Sequence, residues 1–302
     1  MFSKLFSQSG LSLDRLKALV EVGAAGSIVQ AAGSDPARQS QYSRQIKELE
    51  DFFQIGLVER HGKGIRLTAG GKELARISRF FLLGLSNFQR GCLAEGQTYR
   101  IGGGATFLAT FLLPLLAEPV RAKSGIRYSV ETVQEEDIER RLHELTLDFG
   151  IVTRSALSRP LQLRELGSWK AILWVPKTLC RTEKEALREQ SALRLPIAWP
   201  QQELPREQFD AYTNYEPSLI CGSFLDARAA LEQQGLAAVL PDFLAPRKPG
   251  NRYWQMPLPG QASAEFQYRL AWNPRLLRLN PHAARRRDAL GEALAKSLAD
   301  RS

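Results

Sequence analysis

The chain has 302 residues, which is enough for two or three domains with separate hydrophobic cores. Its composition is that of a globular protein, with 44% hydrophobic and 24% charged residues, and its formal net charge is +9. This basic balance favours an anionic partner. No apolar run approaches the roughly 20 residues that a membrane-spanning helix needs, so the sequence predicts no membrane partner.

The ends and cysteines of the chain favour a cytoplasmic protein. Residues 1–10 contain one lysine and lack the apolar segment of a secretory signal. Cys92, Cys180 and Cys221 are odd in number and widely spaced, which is typical of reduced thiols rather than a disulfide framework. A redox pair of Cys180 with Cys221 is the alternative to buried, inert thiols.

Two short helices are predicted first. An apolar face at helical spacing is formed by Leu13, Leu16, Leu19 and Val20. Gly23 and Gly26 are expected to end this helix. Ser27 then stands as an N-cap with Gln30 three residues later, which is the pattern of a capping box. A second helix is therefore expected to follow Ser27.

A third helix with two different faces follows. Gly33-Ser34-Asp35-Pro36 predicts that the second helix stops near Gly33 and that Asp35 caps the third. The inward face comprises Tyr42, Ile46, Leu49 and Phe53. The outward face comprises Gln39, Ser40, Gln41, Ser43, Arg44 and Lys47. Such side chains can read base edges and hold phosphates, whereas the alternative is a solvated surface.

A basic hairpin is predicted from Glu59 to Leu67, turned by Gly62 and Gly64. Its cationic side chains are Arg60, Lys63 and Arg66. A helix of mixed polar character followed by such a hairpin is the order of a winged helix-turn-helix, which places a recognition helix in the major groove. Residues 1–71 are therefore predicted to bind duplex DNA.

A long apolar stripe follows this module. Leu74, Ile77, Phe81, Leu85 and Phe88 are spaced by 3, 4, 4 and 3 residues. This spacing is typical of a helix that pairs with a copy of itself. Residues 72–96 are therefore predicted to form a linker helix for dimerisation, and the alternative is packing against its own domain.

Strands and helices alternate in the rest of the chain, after a hinge expected at Ala94–Gln97. The pattern predicts an α/β fold with an open, largely parallel sheet. Gly102-Gly103-Gly104 does not match a dinucleotide fingerprint. Together with Gly222-Ser223-Phe224 it is better interpreted as a strand-to-helix turn whose backbone N–H groups face a ligand.

The N-terminal motifs, in this order, resemble the DNA-binding domain of LysR-type transcriptional regulators. They are Gly26-Ser27-Ile28, Ala31-Ala32, Ser43-Arg44-Gln45-Ile46, Leu49-Glu50, Glu59-Arg60 and Leu67-Thr68-Ala69-Gly70. The resemblance implies a dimer or tetramer and adds Ser27 to the DNA-binding candidates. The chain departs from the family at Gly33–Pro36, where a Leu and a Ser-Gln-Pro are usual, and this departure bears on the turn geometry and on which residues first touch the groove.

Residues 97–302 resemble the effector-binding domain of the same family, which is built like a type 2 periplasmic binding protein. The resemblance implies subdomain I at about 97–160 and 268–302, and subdomain II at about 161–267. The chain would cross between them near 154–164 and return near 267–272. Gly235-Leu236-Ala237-Ala238-Val239-Leu240-Pro241 matches a family element of subdomain II.

The same resemblance implies a set of cleft residues. They are Gly104, Ala105, Thr106, Thr153, Trp199, Ser223 and Phe224. Gly104 stands where the family often has Ser or Thr, so one side-chain donor is missing there. A buried aromatic is the equal alternative for Trp199, and Arg154 is either an anion partner or an exposed hinge residue.

No catalytic or metal-binding constellation is apparent, and no cofactor is expected. The histidines His61, His143 and His282 are scattered, and no P-loop or nucleophile elbow is present. The sequence therefore predicts a regulator of LysR type, modulated by an unknown small-molecule effector, with RNA polymerase as a further candidate partner. The alternatives are a cytoplasmic small-molecule-binding module with weak or atypical DNA binding, a solute-binding protein, and an enzyme with an appended DNA-binding head.

Overall fold

A computed structural model describes residues 10–33, 35–61, 64–92, 98–121, 125–191, 194–204, 215–258 and 265–301. The chain divides into two compact units, Met1–Glu95 and Gly96–Ser302. Among the described residues, no helix has the length and apolar character needed to span a membrane. Residues 1–9 of the expected signal-free start and the whole of the expected hinge at Ala94–Gln97 lie outside the described residues. The finer domain boundaries proposed from the sequence stay predictions.

The N-terminal unit is a bundle of helices with a two-stranded hairpin. Its elements are α1 (Leu13–Ala25), α2 (Ile28–Ala32), α3 (Pro36–Phe53), β1 (Val58–His61), β2 (Gly64–Leu67) and α4 (Ala69–Cys92). The Ser27 hydroxyl accepts a hydrogen bond from the Gln30 N–H and caps α2. The Asp35 carboxylate caps α3, with Pro36 in the first turn. Both predicted caps are therefore confirmed.

The first helix differs from its prediction at both ends. Leu16 and Leu19 are buried as expected, but Leu13, the first residue of the helix, is 52% exposed, so its predicted place on the buried face is wrong. Gly23 lies inside α1, so the prediction that it ends the helix is wrong. A Cβ at Gly23 would lie 2.9 Å from Leu67 Cδ1, and glycine there allows β2 to approach. Gly26, in the left-handed conformation at φ 77°, ends the helix.

The C-terminal unit alternates strands with helices. Its strands are β3 (Thr98–Gly103), β4 (Arg127–Thr132), β5 (Phe149–Val152), β6 (Gln162–Pro176), β7 (Ile197–Pro200), β8 (Leu219–Cys221), β9 (Ala237–Pro241), β10 (Tyr253–Pro257) and β11 (Glu265–Trp272). Its helices are α5 (Ala105–Phe107, Leu108–Leu112 with π geometry, then Leu113–Arg121), α6 (Glu135–His143), α7 (Glu183–Ser191), α8 (Phe224–Ala229, continued by Ala230–Gln234), α9 (Pro249–Arg252), α10 (Pro274–Leu279) and α11 (Pro281–Ala299). A 3₁₀ turn covers Asp242–Leu244.

Within the described part of the chain, these strands form one mixed sheet in the order β4-β3-β5-β11-β6-β9-β7-β8, with β10 on β6. β3 runs parallel to β4 and β5, and β7 runs parallel to β8 and β9. The prediction of a largely parallel sheet is wrong, because β11 is antiparallel to β5 and β6, and β6 is antiparallel to β9 and β10.

The two long strands join the two halves of this unit. Gln162–Lys170 of β6 pairs with β11, and the following residues of β6 pair with β9 and β10. The first crossing, expected near 154–164, is made by β6, which begins at Gln162, and the return expected at 267–272 lies within β11. The two-subdomain α/β architecture is confirmed.

Close packing sets the position of α6 beside β5. A Cβ at Gly150 of β5 would lie 2.4 Å from Ile138 Cγ2, so only glycine lets α6 lie this close. The start of α6 then lies beside the residues that follow β5. This arrangement gathers the carboxyl ends of β3, β4, β5 and β7 around one space.

Candidate functional site

One face of α3 is polar and open to solvent. Ser40, Gln41, Ser43, Arg44 and Lys47 are exposed, and Gln39 is half-buried. Ser27 is also half-buried, with its hydroxyl engaged as the α2 cap. The opposite face of α3 buries Tyr42, Ile46 and Leu49 in the core, and Phe53 packs against that core. The structure gives Arg44 and Lys47 no ion-pair partner among the described residues.

Polar contacts fix α3 on α1. The Tyr42 hydroxyl donates to Glu21 Oε2 at 2.6 Å and accepts from Arg38 Nη2 at 3.2 Å. The hydrogen bond to Glu21, and then burial, raise the pKa of Tyr42. Arg15 of α1 also pairs with Glu48. The exposed face is therefore presented by a helix held in a fixed orientation.

The hairpin is attached to the end of the same helix. Glu50 Oε1 accepts from the N–H groups of Leu57 (2.6 Å) and Val58 (3.1 Å), at the start of β1. Arg66 is exposed on β2, opposite Glu59 in the ladder. Lys63 and the side chain of Arg60 lie outside the described residues.

The predicted dimerisation stripe divides into two parts. Leu74 is half-buried and packs against the core of its own unit. Ile77, Phe81, Leu85 and Phe88 are 50%, 48%, 42% and 72% exposed. The alternative of packing within the domain thus accounts for Leu74 alone, and dimerisation through the others stays a prediction.

A cavity of about 400 Å³ opens in the C-terminal unit at the strand ends. Its walls are formed by Gly104, Phe107, Val133, Glu135, Glu136, Ile138, Ile151, Thr153, Arg154, Gln202, Glu203, Phe266 and Tyr268. Apolar and aromatic side chains and several carboxylates line this space. A concave site of this size with a few polar groups is typical of small-ligand binding.

The Glu203 carboxylate joins two helix starts at one end of the cavity. Its Oε1 accepts from the Thr106 N–H at 2.8 Å, and its Oε2 accepts from the Thr106 hydroxyl at 2.5 Å and the Phe224 N–H at 2.7 Å. Burial raises the pKa of Glu203, and the three hydrogen bonds oppose that rise. Glu203 was not predicted from the sequence, although its position just after buried strand β7 could have indicated a strand-end residue.

A second carboxylate holds the segment after β5. Glu135 accepts from the Thr153 N–H at 3.0 Å, the Thr153 hydroxyl at 2.7 Å and the Arg154 N–H at 2.8 Å. Arg154 itself is exposed and pairs with Glu139 at 2.7 Å. This pairing favours the interpretation of Arg154 as an exposed residue after β5 over that of a free anion partner.

Four of the predicted cleft residues lie at or next to the cavity. Gly104 and Thr153 line it, and Ala105 is half-buried next to Gly104. Thr106 is buried beneath Glu203. Direct effector contacts by any of these residues stay predictions.

The other three predicted cleft residues lie outside the lining. Ser223 caps α8, and Phe224 packs its ring 5.4 Å from that of Trp169. Trp199 is fully buried and donates to the Leu204 carbonyl at 2.7 Å. These contacts give Trp199 the role of a core aromatic in this structure, and effector contacts by the three stay predictions.

The cysteines, and the residue types that bind metal ions, form no further candidate site among the described residues. Cys180 and Cys221 are free and buried, and burial raises the pKa of both thiols. Such thiols are poor nucleophiles, which favours the inert alternative. The described residues contain no group of His, Cys, Asp and Glu able to hold a metal ion.

A winged helix-turn-helix followed by a long helix and a two-subdomain α/β unit defines the architecture of a DNA-binding head joined to a ligand-binding domain. Residues 13–72 match the family of bacterial regulatory helix-turn-helix proteins, lysR family. Residues 94–295 match the LysR substrate binding domain. The chain belongs to the LysR family of transcriptional regulators.

Individual relatives agree with this assignment. The regulators HdfR of Shigella boydii serotype 18 and of Escherichia coli O139:H28 are 27% identical to the chain over 172 residues, which cover 54% of this chain and 61% of each relative. The match thus spans less than two thirds of these relatives' length. A full-length variant of OxyR from Pseudomonas aeruginosa has a similar fold, with a TM-score of 0.60, 17% identity, and 95% and 97% of the two chains covered.

A second solved structure with a similar fold is full-length LysG from Corynebacterium glutamicum with bound effector Arg. Its TM-score is also 0.60, with 16% identity, and 95% of this chain and 99% of LysG are covered. At sequence identities this low, the similarity to OxyR and LysG is evidence for the fold alone.

Proposed function

We propose that the protein is a cytoplasmic transcription regulator that binds duplex DNA and whose DNA contacts are modulated by a small molecule in the C-terminal cavity. The observation that carries the proposal is the exposed face of α3, which presents Arg44 and Lys47 without ion-pair partners among the described residues, on a helix anchored by its other face. An unneutralised cationic face on a fixed helix favours contact with phosphates.

The residues of this face have different expected roles. Arg44 and Lys47, together with Arg60, Lys63 and Arg66 of the hairpin, would contact phosphates. Ser40, Gln41 and Ser43 lie on the same exposed face and carry donors and acceptors suited to base edges. Gln39 and Ser27 are the remaining candidates at the helix starts.

Self-association would complete the DNA-binding unit. The uncovered side chains Ile77, Phe81, Leu85 and Phe88 lie on one helix at heptad-like spacing. A dimer would present two copies of α3 to a two-fold site. RNA polymerase is a further candidate partner of such a complex.

The cavity supports the sensing part of the proposal. Its volume suits a small metabolite, and aromatic walls at Phe107, Phe266 and Tyr268 can contact an apolar body. LysG, a protein of similar fold, is solved with its effector arginine bound. An effector that fills this cavity is expected to change the protected DNA footprint, so the same footprint at saturation would contradict modulation.

The test is fluorescence anisotropy of the full chain on DNA from upstream of its own gene and on scrambled DNA, at two salt concentrations. The proposal predicts tight, salt-sensitive binding with preference for the upstream fragment. Weak, equal binding to both fragments would contradict it.

That second outcome would favour a small-molecule-binding module with atypical DNA binding. The specific observation behind this alternative is the short second helix: α2 has only five residues, Ile28–Ala32, and ends at Gly33 in the left-handed conformation. The departure from the family sequence at Gly33–Pro36 would then change how α3 is presented to DNA.

A further inference from the structure

We propose that Glu203 fills the anion-binding end of the cavity as an internal carboxylate, so that the effector of this protein is a neutral or cationic molecule rather than a carboxylate. Glu203 would then determine the specificity of the cleft. This inference rests on the proposed ligand-binding function of the cavity and names the class of molecule that the cavity accepts.

Three donors at this end of the cavity are directed at Glu203. Two backbone N–H groups, from Thr106 and Phe224, and the Thr106 hydroxyl reach its two oxygens at 2.5–2.8 Å. The N–H groups belong to the first turn of two helical segments, where such groups have no partner within the helix. This donor set is the one an anionic ligand needs, and Glu203 already uses it.

Gly104 leaves the space that the Glu203 carboxylate occupies. A Cβ at position 104 would lie 2.7 Å from Glu203 Oε1, 3.4 Å from Cδ and 3.5 Å from Cγ, so any other residue would collide with the seated carboxylate. The backbone at Gly104 does not itself require glycine, because its φ of −64° is accessible to every residue. Glycine at position 104 is therefore explained by the space that the Glu203 carboxylate needs, and not by the backbone conformation.

A free carboxylate competes poorly with a tethered one. Glu203 is held on the same chain, so its effective concentration at the donors exceeds that of a metabolite in solution. The other charges around the cavity add to this exclusion. Glu135 and Glu136 also line it, and the nearby cation Arg154 is paired with Glu139. A molecule with a positive charge or with hydrogen-bond donors is complementary to these carboxylates.

The test is chemical rescue of Glu203→Ala by acetate. The substitution removes the atoms that acetate contains, and it leaves the three donors of Thr106 and Phe224 without an acceptor. At an acetate concentration about ten times its Kd, the Tm of E203A is expected to rise by about 3–5 °C relative to chloride at equal ionic strength. The wild-type protein is expected to show no acetate-specific rise.

The matched control is Glu136→Ala, which removes a carboxylate from the same cavity without vacating the donors. Acetate is expected to leave its Tm unchanged. An equal acetate-specific rise in the wild-type protein, or none in E203A, would overturn the proposal. The acetate experiments use no DNA. A negative acetate result would therefore leave the DNA-binding proposal standing, and a negative DNA titration would leave the proposal about Glu203 standing.

A second variant covers the case in which E203A does not unfold cooperatively. Glu203→Ser also removes the carboxylate, and its short side chain leaves the space beside the Thr106 and Phe224 donors open. Acetate is therefore expected to bind E203S and not the wild-type protein in saturation-transfer NMR with the methyl signal of acetate, which does not require cooperative unfolding. No acetate signal with E203S would contradict an anion-binding end of the cavity.

Discussion

Glycine has a steric rather than a conformational role at several decisive positions of this molecule. Gly104 admits the Glu203 carboxylate, and Gly150 admits Ile138 of α6. Gly71, in the first turn of α4, is closer still to its neighbour, since a Cβ there would lie 2.0 Å from the Leu57 carbonyl oxygen. A backbone atom cannot move aside as a flexible side chain can, so Gly71 fixes how α4 begins against the hairpin.

Gly71→Ala is expected to destabilise the N-terminal unit by about 1–3 kcal/mol, the usual cost of forcing added volume into a packed site. The matched control is Gly56→Ala, because a Cβ at position 56 meets nothing within 4 Å. Hydrogen exchange of the amides of α1 and α3, followed by mass spectrometry, reports the opening free energy. Equal protection in the two variants would show that Leu57 can yield without cost.

At the scale of elements, the sequence predicted what local interactions determine. The Ser27 cap of α2, the Asp35 cap of α3 and the end of α2 at Gly33 each depend on residues within one turn, and all three are found. The alternation of strands and helices was likewise visible, because each element carries its own period of apolar residues.

Nonlocal pairings account for what the sequence did not show. The antiparallel pairing of β6 with β11 joins residues as distant as Gln162 and Trp272, so no local pattern indicates it. Glu203 was missed for the same reason, since its partner Thr106 lies 97 residues away. Gly104 was recognised as a departure from the family, but the carboxylate that uses its space could be found only in three dimensions.

Phe81→Asp is expected to shift the protein toward monomer, because it places a charge in the middle of the uncovered stripe of α4. The matched control is Lys72→Asp, an exposed position nine residues earlier and so about two and a half turns away, on the opposite side of the same helix. Sedimentation velocity measures the mass of each variant. A wild-type mass for F81D, or the same dissociation for K72D, would contradict a dimer interface on this stripe.

At the scale of the whole molecule, each of the two units carries its own proposed binding surface. The N-terminal unit presents cations on an exposed helix face, and the C-terminal unit encloses an acidic, partly aromatic cavity. A net charge of +9 favours association with DNA in general. Charge alone therefore does not identify the DNA-binding surface, and the test must compare positions of equal charge.

The most direct measurement is the salt dependence of DNA affinity for Lys47→Ala and Lys184→Ala, by fluorescence anisotropy of the full chain. Both lysines are exposed, Lys47 on α3 and Lys184 on α7 of the other unit, and each substitution removes one charge. We predict that K47A weakens binding and lowers the slope of log affinity against log salt by about 1, as expected for one lost phosphate contact, while K184A matches the wild-type protein. Wild-type affinity and slope for K47A, or equal losses in both variants, would contradict DNA binding through the exposed face of α3.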